Sequence, residues 1–192
     1  ANIDWAITKK IHLLPGLRYN YDEKKIDYRR ETYGGLETTN TALLAIKNGV
    51  YNNQAFNTRG TNQNVTGQIT LQFKANAHIN AFATVSTNYK PIGINLGGLP
   101  TINGETALDL AVINPEYITH YEVGIKTTPT KNSTFNIVAH NSDIKDYQTL
   151  VQTAELGVNR GYLATAEKVQ VFGVEVDAST RIGKHISTFG SV

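Results

Sequence analysis

The side chains with the most chemistry in this 192-residue chain are five histidines, His12, His78, His120, His140 and His185. Their spacing contains no HExxH and no other metal-ligand pattern. Cysteine is absent, which removes thiolate nucleophiles, disulfides and Cys-based zinc sites. There is no GxSxG, P-loop or dinucleotide-binding glycine fingerprint. One cluster has suitable types: His120, Glu122 and His140 approach one another if residues 114–148 fold as a hairpin. Such a trio fits a metal or proton site; it fits better as polar side chains facing water. Asp143, Lys145 and Asp146 read as a solvated strand extension rather than a catalytic pair. The sequence therefore offers no catalytic residues, no metal site and no cofactor, and function falls to recognition.

The elements that hold these residues come from alternation. Thr119, Tyr121, Val123 and Ile125 alternate with His120, Glu122, Gly124 and Lys126, and Phe135, Ile137 and Ala139 with Thr134, Asn136 and His140. Pro129, Lys131 and Asn132 close the turn between them. The same rhythm over 2–8, from Leu13 to about Arg29, over 65–73, 79–90 and 168–180, and from His185 onward gives about eight strands. Short turns at Lys9-Lys10, Asn76, Asn132 and Gly183-Lys184 alternate with long connections at 30–62, 91–115 and 149–164. In the first of these, Leu36, Leu43, Leu44 and Ile46 fit one short helix opened near Asn40 and closed by Asn48-Gly49.

Composition narrows the reading further. With 18 Lys+Arg against 16 Asp+Glu the net charge is +2, so bulk electrostatics do not point to nucleic acid. No apolar run reaches the roughly 18 residues of a transmembrane helix. Strict alternation of short and long connections predicts an all-β, antiparallel up-and-down meander: the wall of an outer-membrane barrel, with tight turns at one rim and long loops at the other. Tyr19, Tyr21, Tyr89 and Tyr121 suit its interfacial girdles. The chain contains no Met, and both ends are expected to cut through strands.

Several segments resemble the strand motifs of TonB-dependent outer-membrane receptors. They are Leu17-Arg18-Tyr19, residues 89–95, Pro115-Glu116 followed by 121–127, 143–146 with Gln148, and Gly173-Val174-Glu175. Ile92 departs from the pattern, where the family often has a small residue. The resemblance implies that residues 1–192 are an internal portion of a barrel of about 22 strands, with the plug domain and the C-terminal strands outside this chain. It implies import of a ferric siderophore or similar small ligand across the bacterial outer membrane, with the protein's own plug, TonB and membrane lipid as partners.

On that expectation, ligand contacts come from Tyr33, Tyr51, Phe56, Arg59, Asn95, Arg160 and Tyr162 on the long loops. Their arginine and aromatic groups suit an anionic, catecholate-like or sugar ligand. Arg18, Lys90, Glu122, Lys126 and Glu175 face the lumen and hold the plug. Three alternatives are a complete eight-stranded barrel, whose first and last strands would pair, a plug-less porin, and a soluble glycan-binding β-sandwich.

Overall fold

Eight strands follow one another across a single antiparallel sheet without a crossover. The computed structural model describes residues 1–35, 37–50, 53–102, 105–155 and 158–192, so Leu36 lies outside the described residues. In chain order the elements are β1 (Trp5–Ala6), β2 (Ile11–Arg30), α1 (Thr41–Val50), β3 (Gln54–Asn76), β4 (Ile79–Lys90), the short β5 (Gly93–Ile94), β6 (Thr101–Ile102), β7 (Glu105–Thr106) and β8 (Val112–Ile113), then β9 (Glu116–Thr130), β10 (Ser133–Glu155), β11 (Val158–Ile182) and β12 (Ile186–Ser191). The large sheet runs β1-β2-β3-β4-β9-β10-β11-β12; β5 pairs with β8 and β6 with β7 inside one connection.

Register turns the alternation of the sequence into two faces. One row of directly opposed residues crosses seven strands as Trp5, Leu13, Leu71, Ala83, Val123, Ala139 and Val174. The neighbouring row on the other face reads Thr70, Thr84, Glu122, His140 and Gly173, with the Thr70 and Thr84 hydroxyls 2.8 Å apart. Among the described residues the apolar face has no partner: Leu17, Ile69, Leu71, Val123 and Val174 are all exposed. A single-layer sheet with an apolar face this continuous is stable against hydrocarbon, where every backbone group must be satisfied between strands. Among the described residues no second sheet covers it, which removes the sandwich reading. β1 and β12 are the two edges and do not pair, so the eight strands are open wall and not a closed small barrel.

The structure departs from the sequence reading at three places. The first strand is reduced to Trp5–Ala6 and a bridge from Asn2 to Gly16. Residues 54–62, read as connection, are the start of β3. In the third long connection, expected at 149–164, the described residues are strand as well: β10 runs to Glu155 and β11 starts at Val158. The physical reason is common to the last two. Above the membrane both faces of a hairpin meet water or loop, so the apolar/polar alternation fades while the hydrogen-bonded ladder continues. β2 and β3 keep one register from Ile11 opposite Phe73 to Arg30 opposite Gln54. At about 3.4 Å per residue, the 23 residues of β10 reach far beyond the roughly 9–11 residues that cross a bilayer.

The helix forms at its expected start but not at its expected stop, since α1 continues through Asn48-Gly49 to Val50. The Asn40 side-chain oxygen accepts hydrogen bonds from the Ala42 and Leu43 backbone N–H groups at 2.9 and 3.3 Å, which caps α1.

The two faces carry a direct test. In the intact protein, Val123→Arg puts a charge at mid-belt and is expected to destabilise the barrel by about 2–4 kcal/mol. Gln72→Arg, on the opposite face, is expected to leave stability within about 0.5 kcal/mol. Urea unfolding in lipid vesicles measures both; equal effects would mean the faces are misassigned.

Candidate functional site

Two hairpin extensions rise past the level at which β4 and β9 stop: the upper halves of β2 and β3, and those of β10 and β11. The connection from Pro91 to Pro115 lies between them. It packs on the even-numbered face of β2, β3 and β10, opposite the apolar belt, and so folds inward over the lumen side of the wall. Among the described residues the buried cluster lies here: Phe56, Leu99 and Ala111, with Tyr28 and Leu110 against them. Tyr28 and Phe56 are direct cross-strand partners with ring centroids 4.8 Å apart. Gly60 makes the close approach possible, since a Cβ there would come within 2.6 Å of Ile92 and 2.9 Å of Val112.

Polar side chains of the wall bind the backbone of the connection. Lys24 donates to the Ile92 carbonyl at 2.6 Å and Arg30 to that of Gly97 at 3.2 Å. The Gln54 amide donates to the Leu99 carbonyl at 2.6 Å and accepts from the Leu99 N–H at 2.9 Å. Gln148 donates to the carbonyls of Pro91 and Asn114 at 2.8 and 2.9 Å. Glu116, 4% exposed, accepts from the Gln148 N–H at 2.6 Å and pairs with Lys90 at 2.9 Å. Asn95, 2% exposed, donates to the carbonyls of Leu110 and Leu163 and accepts from the Leu163 N–H at 2.6 Å. An irregular backbone can stay buried only with such partners.

The seven loop residues singled out in the sequence do not converge. Phe56 and Asn95 are spent on packing and pinning: Phe56 lies in the buried cluster, and Asn95 ties the connection to β11 through Leu163. Arg59 and Tyr162 stand, by register, on the face that continues the apolar belt, away from the lumen. Arg59 there binds Glu23 at 3.1 Å. Tyr33 is 83% exposed and donates its hydroxyl proton to Glu31. Tyr51 lies outside the described residues, and Arg160 is described in its backbone alone. What sequence reasoning missed is the set Lys24, Gln54, Glu116 and Gln148. Gln148 and Glu116 lie in segments already noted for their motifs, but nothing in their spacing announces a latch.

Beyond the membrane, charge pairs shift several groups. Hydrogen bonding to Lys25, with Arg59 nearby, holds the Glu23 carboxyl below the ordinary range, and Glu23 raises Lys25 in turn. The hydrogen bond from Tyr33, then that from Arg29, lowers Glu31, and Glu31 raises the Tyr33 phenol.

Arg18, Lys90, Glu122, Lys126 and Glu175 share the polar face by register. Lys126 lies 5.3 Å from the centre of the Phe82 ring. The rings of His120 and His140 are stacked with centroids 5.9 Å apart. His120 is 3.6 Å from Glu122 and its Nδ1 is 2.8 Å from the Ser142 hydroxyl; His140 is 3.6 Å from Glu175. Among the described residues, no three His, Asp or Glu side chains are arranged to hold a metal ion.

Comparison with known proteins agrees with this architecture. A family model described as TonB dependent receptor-like, beta-barrel matches residues 1–191. Among solved structures, the ferric yersiniabactin uptake receptor FyuA of Yersinia pestis is 19% identical, with a TM-score of 0.68 over 99% of this chain and 26% of its own. The copper transporter OprC is 13% identical, with a TM-score of 0.70 over 98% of this chain and 27% of its own. The alcaligin outer-membrane receptor FauA of Bordetella pertussis is 14% identical, with a TM-score of 0.53 over 98% of this chain and 28% of its own. The chain thus spans about a quarter of the length of these structures, which it resembles in fold.

Two measurements test the site. Gln148→Ala leaves the Pro91 and Asn114 carbonyls without their donor, at about 1–3 kcal/mol for each buried group. Hydrogen exchange over residues 92–99 is expected to speed up at least tenfold while the β4–β9 ladder stays protected; unchanged exchange would mean the latch contributes nothing. Tyr33→Phe removes the main cause of Glu31's low pKa. That carboxyl is expected to titrate at higher pH, nearer the ordinary value, in carbon-detected NMR. The small stabilisation it gives, present above the ordinary carboxylate range and lost as pH falls through the lowered pKa, shrinks accordingly.

Proposed function

This chain belongs to the TonB-dependent receptor β-barrel family, and on that premise we propose that the whole protein imports a scarce nutrient, a ferric siderophore first of all, through the bacterial outer membrane. Members of this family are transporters rather than enzymes, and an outer-membrane barrel is where its wall belongs. The observation that carries the reading is the match across residues 1–191. The exposed apolar belt and the inward-folded connection at the mouth agree with it. Two neighbours in fold are named for ferric yersiniabactin uptake and for alcaligin, another for copper; iron chelates are therefore the first class to try.

In this reading the wall does no chemistry. Arg18, Glu122, Lys126 and Glu175 line the lumen and hold a plug domain through hydrogen bonds and ion pairs that loosen during transport. Lys90, bound to Glu116, steadies the loop instead. Of the seven loop candidates, Tyr33 is the exposed aromatic best placed to meet a ligand, while Phe56 and Asn95 shape the surface beneath it.

The test uses the complete protein in cells with and without TonB. Cells are expected to bind radiolabelled ferric siderophore in both backgrounds and to accumulate it only where TonB is present. Equal accumulation without TonB would identify a plug-less porin, and absence of binding by any iron chelate would overturn the iron reading.

A further inference from the structure

Charge is divided unevenly between the two rims of the wall. The four tight turns, with the strand ends that flank them, are residues 7–11, 74–79, 126–134 and 181–186. They hold Lys9, Lys10, Lys74, Lys126, Lys131, Arg181 and Lys184, and no Asp or Glu. The rest of the chain is left with 11 Lys+Arg against 16 Asp+Glu, so the total of +2 conceals a basic rim and an acidic remainder.

The four turns lie side by side, because backbone hydrogen bonds run from each to the next. The Lys74 N–H donates to the Lys10 carbonyl at 2.8 Å, that of Thr128 to His78 at 2.9 Å, and that of Arg181 to Asn132 at 2.9 Å. All seven cations are exposed. Towards the other rim Lys25, Arg29, Arg59, Lys90 and Lys168 each have a carboxylate partner. Three of the seven are engaged without one: Lys74 Nζ is 3.3 Å from His12, Lys126 lies over Phe82, and Arg181 donates to the Lys184 carbonyl at 3.2 Å. The acids nearest this rim are also taken. Asp177, level with Lys126 across β10, accepts from Asn136 at 2.9 Å on the lumen face, and Asp4 is bound to His12 at 2.8 Å. At the tips of the turns this leaves Lys9, Lys10, Lys131 and Lys184, whose ammonium groups have no partner among the described residues.

The apolar face of the wall reaches down to these tips. Ile7, Ile79, Phe135, Ile182 and Ile186 are all exposed, and Ile79 and Phe135 stand on the lipid face by register, each opposite Thr127. The four ammonium groups therefore sit where the hydrocarbon-facing surface ends, at the level that headgroups occupy. A lysine there keeps its stem on apolar surface and its charge among phosphates. A row of such cations at a membrane edge attracts lipids of net negative charge. Short turns face the periplasm in barrels of this kind, which specifies the leaflet.

From this continuity of apolar belt and unpaired cations we infer that Lys9, Lys10, Lys131 and Lys184 bind the phosphates of anionic phospholipids in the periplasmic leaflet. The inference rests on the barrel's place in the outer membrane and is independent of the nutrient that passes through it.

The test reconstitutes the complete receptor in phosphatidylcholine vesicles carrying a small share of either phosphatidylglycerol or phosphatidylethanolamine, each with a photoactivatable group near its glycerol. Cross-linked peptides are counted by mass spectrometry. The four turns are expected to be labelled at least about threefold more by the anionic lipid, a preference that high salt largely removes. With Lys9, Lys10, Lys131 and Lys184 all changed to Gln, the ratio is expected to fall close to one while the heat-modifiable barrel band stays unchanged. Lys145→Gln, an exposed lysine nearer the other rim, is expected to leave the ratio as it is. Equal labelling of the wild type by the two lipids overturns the proposal and leaves the tip lysines to an acidic protein partner. A preference that survives the fourfold substitution, or that Lys145→Gln reduces as much, also overturns it.

Discussion

Hydrocarbon offers no partner to a backbone N–H or C=O, and that single constraint organises this chain. It forces the wall into a continuous antiparallel ladder, in which each strand is satisfied by the next. The ladder in turn fixes which side chains share a face, because a slip of one residue would exchange the two faces entirely. The row from Trp5 to Val174 is the visible result: seven strands, one register, one apolar surface. Exposed leucine, isoleucine and valine that would be a liability in water are here the surface that meets lipid.

The same ladder continues where the constraint no longer acts. Above the membrane β2 with β3, and β10 with β11, keep their pairing although water could satisfy their backbones. Parity is carried upward with the pairing, so even-numbered residues of β2, β3 and β10 still face inward. This is why the connection between β4 and β9 meets Lys24, Tyr28, Gln54, Phe56 and Gln148, and why its Ile92, Leu99 and Ala111 are buried on the lumen side. A rule imposed by lipid thus positions a loop that lies outside it.

These two regimes account for what could be read from the residues alone. β4, β9 and the lower parts of β3 and β10 were legible because one face meets lipid and the other a wet lumen, which imprints period two on the sequence. The helix was legible through Asn40, whose cap is a local signal. The strand residues 54–62, 149–155 and 158–164 were not, since both faces there are polar or loop-covered and only the partner strand makes them β. The buried cluster was equally hidden: Leu99 and Ala111 sit in a segment with no period at all. Their burial depends on side chains 40 or more residues away in sequence, such as Gln54.

The candidate ligand residues illustrate how much direction matters beyond type. Arg59 and Tyr162 have the right chemistry for an anionic ligand, yet parity turns them outward as soon as residues 54–62 and 158–166 are recognised as strand. Lys24 and Arg30 face inward, but their donors are occupied by carbonyls that an irregular loop cannot satisfy by itself. Burying that loop without them would leave its backbone groups desolvated and unpaired, which costs more than two exposed cations return. Lys24 and Arg30 of the inner face are therefore spent in holding the loop down. Which of the basic residues near this loop remain free for a ligand thus depends on the hydrogen-bonding needs of the backbone beside them.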